Sequence, residues 1–253
     1  MSQIITIANQ KGGVGKTTTA INLAACLAAA EKRVLLVDAD PQANATSGLG
    51  IDRESITYSL YHFLIQDLKL DQVARPTALP KLTVIPASQD LIGAEVELVN
   101  HPGRQNFLAR KLLPLDGEFD YLVIDCPPSL QLLTINALCA ARELLIPLQC
   151  EYYALEGLSQ LIRTFRLIRQ RYNPNLRILG VLLTMFDTRN RLSHQVAGEV
   201  HKHFPGRVFK TIIPRNVRLS ESPSHGQPII LYDIRSSGAR AYLSLAKEIL
   251  KKG

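Results

Sequence analysis

The four cysteines, Cys26, Cys126, Cys139 and Cys150, make no C-x-x-C pair and no Cys/His spacing. That argues against structural zinc, an iron–sulfur cluster and a disulfide framework. The first residues lack a basic leader followed by a long apolar stretch, so no signal peptide is expected. No apolar run approaches the roughly 18 to 20 residues of a membrane span. There is no internal repeat, no low-complexity tract and no long linker. These absences point to a soluble, reduced, cytoplasmic protein. What the chain does have is 253 residues that are 46% hydrophobic. That supplies a real core and excludes a disordered tail or a stapled mini-protein.

Charge is divided unequally along the chain. Residues 1–125 carry 11 basic and 14 acidic side chains, a net −3; residues 126–253 carry 18 and 8, a net +10. A basic half suits a polyanionic partner and suits solubility equally well.

Residues 3–8 read as an Ile-rich strand, 9–15 as a Gly-rich turn, 17–30 as a helix and 33–37 as a second strand. Strand, helix, strand is a βαβ unit with a right-handed crossover and a parallel sheet. Further apolar runs cover 82–85, 121–124, 144–148, 178–184 and 208–213. They are continuous rather than alternating, as strands covered on both faces are. Helical patterns fall at 155–172, 192–204 and 239–252. The expected fold is a single α/β domain over residues 1–253, with a mostly parallel sheet of about seven or eight strands and helices on both faces.

Lys11-Gly12-Gly13-Val14-Gly15-Lys16-Thr17-Thr18 stands between the first strand and the first helix. Backbone N–H groups and the helix N-terminus both face an anion there, and glycines let the chain wrap it closely. In a phosphate loop Lys16 reaches the β/γ-phosphates and the Thr17 hydroxyl binds Mg²⁺. The usual G-x-x-x-x-G-K-[ST] pattern fails at its first position, which is Gln10. With a second lysine before the glycines, the segment resembles the deviant Walker A box of the ParA/MinD family of P-loop ATPases. Lys11 to Thr18 then form the nucleotide cradle. The resemblance implies that Lys11 crosses a dimer interface to the partner's ATP, burying two nucleotides between two subunits.

Asp38-Ala39-Asp40-Pro41 follows the second strand, at a carboxyl edge where open α/β sheets bind ligands. Alone, the two carboxylates could simply cap a loop. Beside Lys16, the resemblance makes Asp40 the residue that positions water and Asp38 a metal-shell carboxylate. Residues 121–125, Tyr-Leu-Val-Ile-Asp, have the form of a Walker B box, with Asp125 holding Mg²⁺ through a water. Cys126 is expected to be a packing residue. The loop 212–218 carries Pro214 and Asn216, which the resemblance places beside adenine. An Asn amide can read a purine edge, and Asn is equally an ordinary turn residue.

The loop 184–191 resembles that of chromosome-type ParA proteins, which implies nonspecific DNA contacts by Arg189 and, in the final loop, Arg218. In the helix at 155–172, Leu158, Leu161, Ile162, Phe165 and Ile168 form the expected core face. Arg163, Arg166 and Arg171 lie opposite, as a solvated face or as more DNA surface. No aromatics are interleaved with these charges, so stacking on single strands is not expected, while phosphate contact on duplex DNA is. The chain starts directly at the first strand, so no helix-turn-helix is expected before it. The amphipathic segment 239–252 is expected to pack on the core rather than anchor to a membrane.

The resemblance implies a ParA/Soj-type partitioning ATPase that uses ATP and Mg²⁺. It would form an ATP-dependent homodimer on nonspecific double-stranded DNA, work with a ParB-type centromere-binding partner and associate with the nucleoid rather than with membrane. The alternative is a MinD-like ATPase at a membrane surface. A metabolic ligase or cluster carrier on the same fold is a third possibility, disfavoured by the missing cysteine pairs.

Overall fold

The computed structural model describes residues 1–151 and 154–252. Seven strands form one sheet: β1 (Gln3–Ile7), β2 (Val34–Asp38), β3 (Arg75–Pro76), β4 (Leu82–Ile85), β5 (Tyr121–Asp125), β6 (Glu143–Gln149) and β7 (Arg177–Thr184). The order across the sheet is β3-β4-β2-β5-β1-β6-β7. All neighbours are parallel except the two-residue β3, which pairs antiparallel with β4. That edge strand is only two residues long and carries Pro76 at its end.

Six longer helices are α1 (Lys16–Ala29), α2 (Leu91–Leu98), α3 (Leu132–Ala140), α4 (Ala154–Arg171), α5 (Arg191–His203) and α6 (Ser237–Leu250). Strand side chains alternate between two apolar layers. Ile5, Ile7, Val34, Leu36 and Val123 face α1 and α6, while Leu35, Val37, Leu122 and Ile124 face the layer that holds α2 to α5. Both layers are closed, which is why the strands read as unbroken apolar runs. The alanines of α1 suit a helix buried on nearly every side: Ala20, Leu23, Ala24 and Leu27 have no solvent exposure.

Two expectations need correction. Residues 208–213 are not a regular strand. They touch β7 at two places, through Phe209 N–H to Val181 O (3.0 Å) and Ile213 N–H to Leu183 O (2.9 Å). Between them Lys210 N–H and Thr211 N–H turn away to the Glu248 carboxylate of α6, each at 3.1 Å. A side chain has taken the donors that a ladder would need. On α4, Leu158, Leu161, Phe165 and Ile168 are buried as expected, but Ile162 is only half-buried and faces a surface groove. On α6, Tyr242, Ala246 and Ile249 enter the core, with Leu245 beside them, whereas Leu243 is 38% exposed. No helix among the described residues is long and apolar enough to cross a membrane.

Candidate functional site

Register sets the site. Asp125 is paired with Ile7 on one side and with Asp38 on the other, so the carboxyl ends of β1, β2 and β5 finish level. The chain leaving β1 forms a loop that enters α1 at Lys16. Gly13 and Gly15 have φ of +73° and +84°, a region that side chains with a Cβ enter only at a cost. The loop is pinned from behind. The Thr184 hydroxyl donates to the Val14 carbonyl at 2.8 Å, and the Asn9 side-chain amide donates to the Pro147 carbonyl at 2.7 Å. Val14 is therefore buried structure, while Gly12, Gly13, Gly15 and Lys16 line a cleft of about 480 Å³.

Lys16 lies in that cleft, only 6% exposed, with its ammonium donating to the Lys11 carbonyl at 3.0 Å. Burial pushes its pKa down, and the neighbouring Asp125, Cys126 and Asp40 push it back up. Lys11 points away from it. Its ammonium pairs with Glu151 at 2.5 Å, and Glu151 also accepts from Gln149. The two lysines of the loop thus serve different directions. Thr17, Thr18, Asp40, Pro214 and Asn216 line the same cleft, as does Met185, which holds a positive φ of 47°.

The three carboxylates are not equivalent. Asp38 is fully buried and already satisfied: Thr46 donates through N–H (2.8 Å) and hydroxyl (2.7 Å), and Asp40 N–H donates at 3.2 Å. Burial raises its pKa to about 6 against those hydrogen bonds. Its oxygens are thus occupied by its own loop. Asp40 is 6% exposed, and its carboxylate accepts Gln42 N–H at 2.9 Å. Asp125 is fully buried, and neither of its oxygens has a hydrogen-bond partner. Burial and then the charge of Asp38 drive its pKa well above the carboxylate range; Thr17 and Lys16 oppose the shift. The Thr17 hydroxyl influences it without reaching a hydrogen bond.

An orphaned, buried carboxylate beside a loop threonine and a lysine fits a divalent cation, which would supply the missing partner. The described residues hold no cluster of three or more His, Cys, Asp or Glu suited to a metal. Mg²⁺ takes one or two carboxylates and completes its shell with phosphates and water. Linkage gives a prediction. Asp125 and Asp38 titrate higher when folded than when unfolded. The folded chain therefore holds extra protons between those two values, and stability without nucleotide falls as pH rises from about 4 through the folded values. Asp125→Asn replaces a carboxyl that burial disfavours in its charged form by a neutral amide. At neutral pH its nucleotide-free melting temperature should rise by about 2–6 °C, and the gain should shrink on acidification. The same variant should lose the Mg²⁺ dependence of ADP binding. Calorimetric melting over a pH series checks it, and a lower melting temperature at every pH contradicts it.

Asn216 is the N-cap of a short helix, Val217–Glu221. Its carbonyl accepts Leu219 N–H (3.1 Å) and its amide donates to the Ser237 hydroxyl (2.8 Å). The side chain builds the wall of the cleft, and these two bonds use one of its two N–H donors and one of its two acceptor positions. Arg189 and Arg218 stand outside the cleft. Arg189 is 90% exposed and forks onto both oxygens of Asp187, each at 3.1 Å. Arg218 pairs with Glu221 at 2.9 Å and with Asp233 at 3.6 Å. Two contributors were not singled out from the sequence. Thr184 ends β7 at the carboxyl edge, a position that the edge rule could have flagged. Glu151 carried no local signal, since its partner Lys11 is 140 residues away.

Known proteins are similar to this chain in sequence and fold. A family model described as an AAA domain matches residues 2–178. The chain is 59% identical over 252 residues to the chromosome partitioning protein ParA of Myxococcus xanthus, covering 100% of this chain and 89% of that one. It is 57% identical over 253 residues to the sporulation initiation inhibitor protein Soj of Bacillus subtilis, covering 100% of both. A crystal structure of cobyrinic acid a,c-diamide synthase from Mycobacterium smegmatis with bound ADP and magnesium superposes with a TM-score of 0.87 at 39% identity, covering 99% of this chain and 95% of that one.

Proposed function

The chain belongs to the ParA/Soj family of chromosome-partitioning ATPases, and from that premise we propose that it is a nucleotide-driven DNA switch. It is an ATPase that uses ATP and Mg²⁺. The proposal covers what the ATP state does: two subunits close on two nucleotides, and the closed dimer holds duplex DNA without reading its sequence. Hydrolysis, stimulated by a ParB-type partner, then releases the DNA. The whole domain, residues 1–253, acts as one unit on the nucleoid.

The observation that carries the reading is the division of labour between the loop lysines, Lys16 turned into its own cleft and Lys11 turned out onto Glu151. ATP supplies the transferable phosphoryl group, and Mg²⁺ neutralises charge on its oxygens. Lys16 binds the β/γ-phosphates and the N–H groups of Gly12 to Thr18 cradle them. Thr17 and Asp125 hold the metal. Asp38 braces the Asp40 loop from its place beside the metal carboxylate. Pro214 and Asn216 shape the base end of the cleft. Lys11 leaves Glu151 for the partner's phosphate, a surface ion pair that costs about 1 kcal/mol or less to give up.

Asp40 orients the attacking water. Asp40→Ala should still bind ATP and dimerise, yet release phosphate about 100-fold more slowly. Sedimentation and phosphate release measured on one sample check it; unimpaired turnover, or a monomer with ATP, removes Asp40 from this role.

The DNA surface rests on Arg189 and Arg218, which exchange Asp187 and Glu221 for phosphates. Dimerisation doubles the contacts, so the ATP-bound dimer should bind far more tightly than the monomer. Affinity should fall steeply with salt on two unrelated duplexes alike. Arg189→Glu and Arg218→Glu should each weaken binding about tenfold or more, since each replaces an attraction by a repulsion, with partner-free hydrolysis unchanged. Sequence-selective binding, or variants that bind like the parent, would defeat the DNA reading. ATP-dependent pelleting with lipid vesicles would put the membrane-positioning alternative in its place.

A further inference from the structure

Away from the nucleotide, a groove of about 510 Å³ runs between α4 and the segment that follows α5. Along α4 it is lined by Leu155, Ser159, Ile162, Arg163 and Arg166, one continuous stripe beside the core-facing one. From Leu155 to Arg166, eleven helical rises, the stripe spans about 17 Å, or three turns. Ile162 and Phe204 lie half-buried in the floor. The rim carries the exposed arginines Arg163 and Arg166 and, across the groove, Arg207. None of the three has a carboxylate partner among the described residues, and no acidic side chain lines the groove. The nearest thing to an internal partner is a neutral one: Arg207 donates to the Ile178 carbonyl at 2.8 Å.

We propose that this groove docks an acidic amphipathic helix of a partner protein, a surface additional to the DNA arginines. An apolar trough three turns long fits the spaced apolar residues of one helix face. Arginines of one sign on both walls select Asp and Glu on the flanks of that helix and repel a basic one. The unpaired state of these arginines sets them apart from Arg189 and Arg218, both of which already hold carboxylates.

Two other polyanions fit less well. Duplex DNA offers rows of phosphate and nothing apolar for Ile162 and Phe204. The proposed DNA residue Arg189 also precedes α5, whereas the groove meets the far end of that 13-residue helix, about 20 Å along. An anionic bilayer takes up apolar side chains that protrude, and here they are recessed between two walls.

The test uses the full chain and a labelled synthetic peptide of about 14 residues, four helical turns. Leucines stand at every third or fourth position with glutamates between them. Two controls keep the length: a scrambled order, and lysine in place of every glutamate. Fluorescence anisotropy should give binding to the acidic amphipathic peptide at least about tenfold tighter than to either control. Arg163→Glu combined with Arg166→Glu, both exposed and free of ion pairs, should weaken it by about tenfold or more. Ile162→Asp should do the same, with circular dichroism confirming its fold; if it fails to fold, the arginine variant decides alone. Equal binding of the scrambled peptide, or no loss in the arginine variant, overturns the proposal. Duplex affinity with ATP, and pelleting with anionic vesicles, should stay within about twofold in the arginine variant. A tenfold loss in either would assign these arginines to DNA or lipid and overturn the proposal as well.

Discussion

Lys16→Ala should abolish ATP binding. The Lys16 ammonium is directed into the loop's own cleft, where, among the described residues, its hydrogen bond is to the Lys11 carbonyl. That contact costs little to exchange for phosphate oxygens, so the group is placed to bind when nucleotide arrives. Without it the phosphates meet the loop's N–H groups and, across the cleft, the carboxylate of Asp40. A lost charge-assisted contact and an unopposed repulsion together justify a drop of at least about 100-fold, roughly 3 kcal/mol. The fold should survive, since Lys16 packs no core. Titration calorimetry with ATP and Mg²⁺ gives the affinity, and a melting curve without nucleotide verifies the fold. Affinity within about threefold of the parent would remove Lys16 from the phosphate site.

How far the sequence disclosed this site depends on how local each feature is. The phosphate loop was legible because strand, glycines, lysine and helix are contiguous. Asp125 was legible because it ends an apolar strand. The apolar run at 208–213 looked like a strand, and its composition is that of one. What composition could not reveal was that Glu248, on a helix later in the chain, takes two of its backbone donors. Asp38 is similar: its spacing from Asp40 is visible, but the two hydrogen bonds that Thr46 donates to its Oδ2 depend on how the next loop folds back. Lys11 could be marked as unusual, whereas its resting partner Glu151 emerges only when β6 is laid beside β1. Ile162 belongs to the apolar face of its helix by periodicity. It is left half-buried because the chain after α5 stands off from α4 and leaves the groove.

Gly12→Val should bind ATP and remain a monomer. The three loop glycines differ in what they need. Gly13 and Gly15 hold positive φ, so a side chain there strains the loop itself. Gly12 does not. A Cβ built on it meets only the Pro128 Cβ, at 3.9 Å, an ordinary contact. Within one subunit the valine therefore has room, and the cradle for phosphate keeps its shape. The conflict arises between subunits. Gly12 follows Lys11, and Lys11 must pass from Glu151 to the partner's nucleotide for the dimer to close. A branched side chain at the next residue stands where two loops approach, and its stiff χ1 leaves it little freedom to turn aside. ATP affinity should stay within about threefold of the parent. Light scattering with ATP and Mg²⁺ should give the mass of one chain at concentrations where the parent is a dimer. Duplex binding should fall to the monomer level even though Arg189 and Arg218 are intact, because half the phosphate contacts have gone. An ATP-dependent dimer of this variant would refute the shared-nucleotide geometry and leave Lys11 to be explained by its pair with Glu151 alone. Lost ATP binding would instead show that Gly12 serves the cradle in its own subunit.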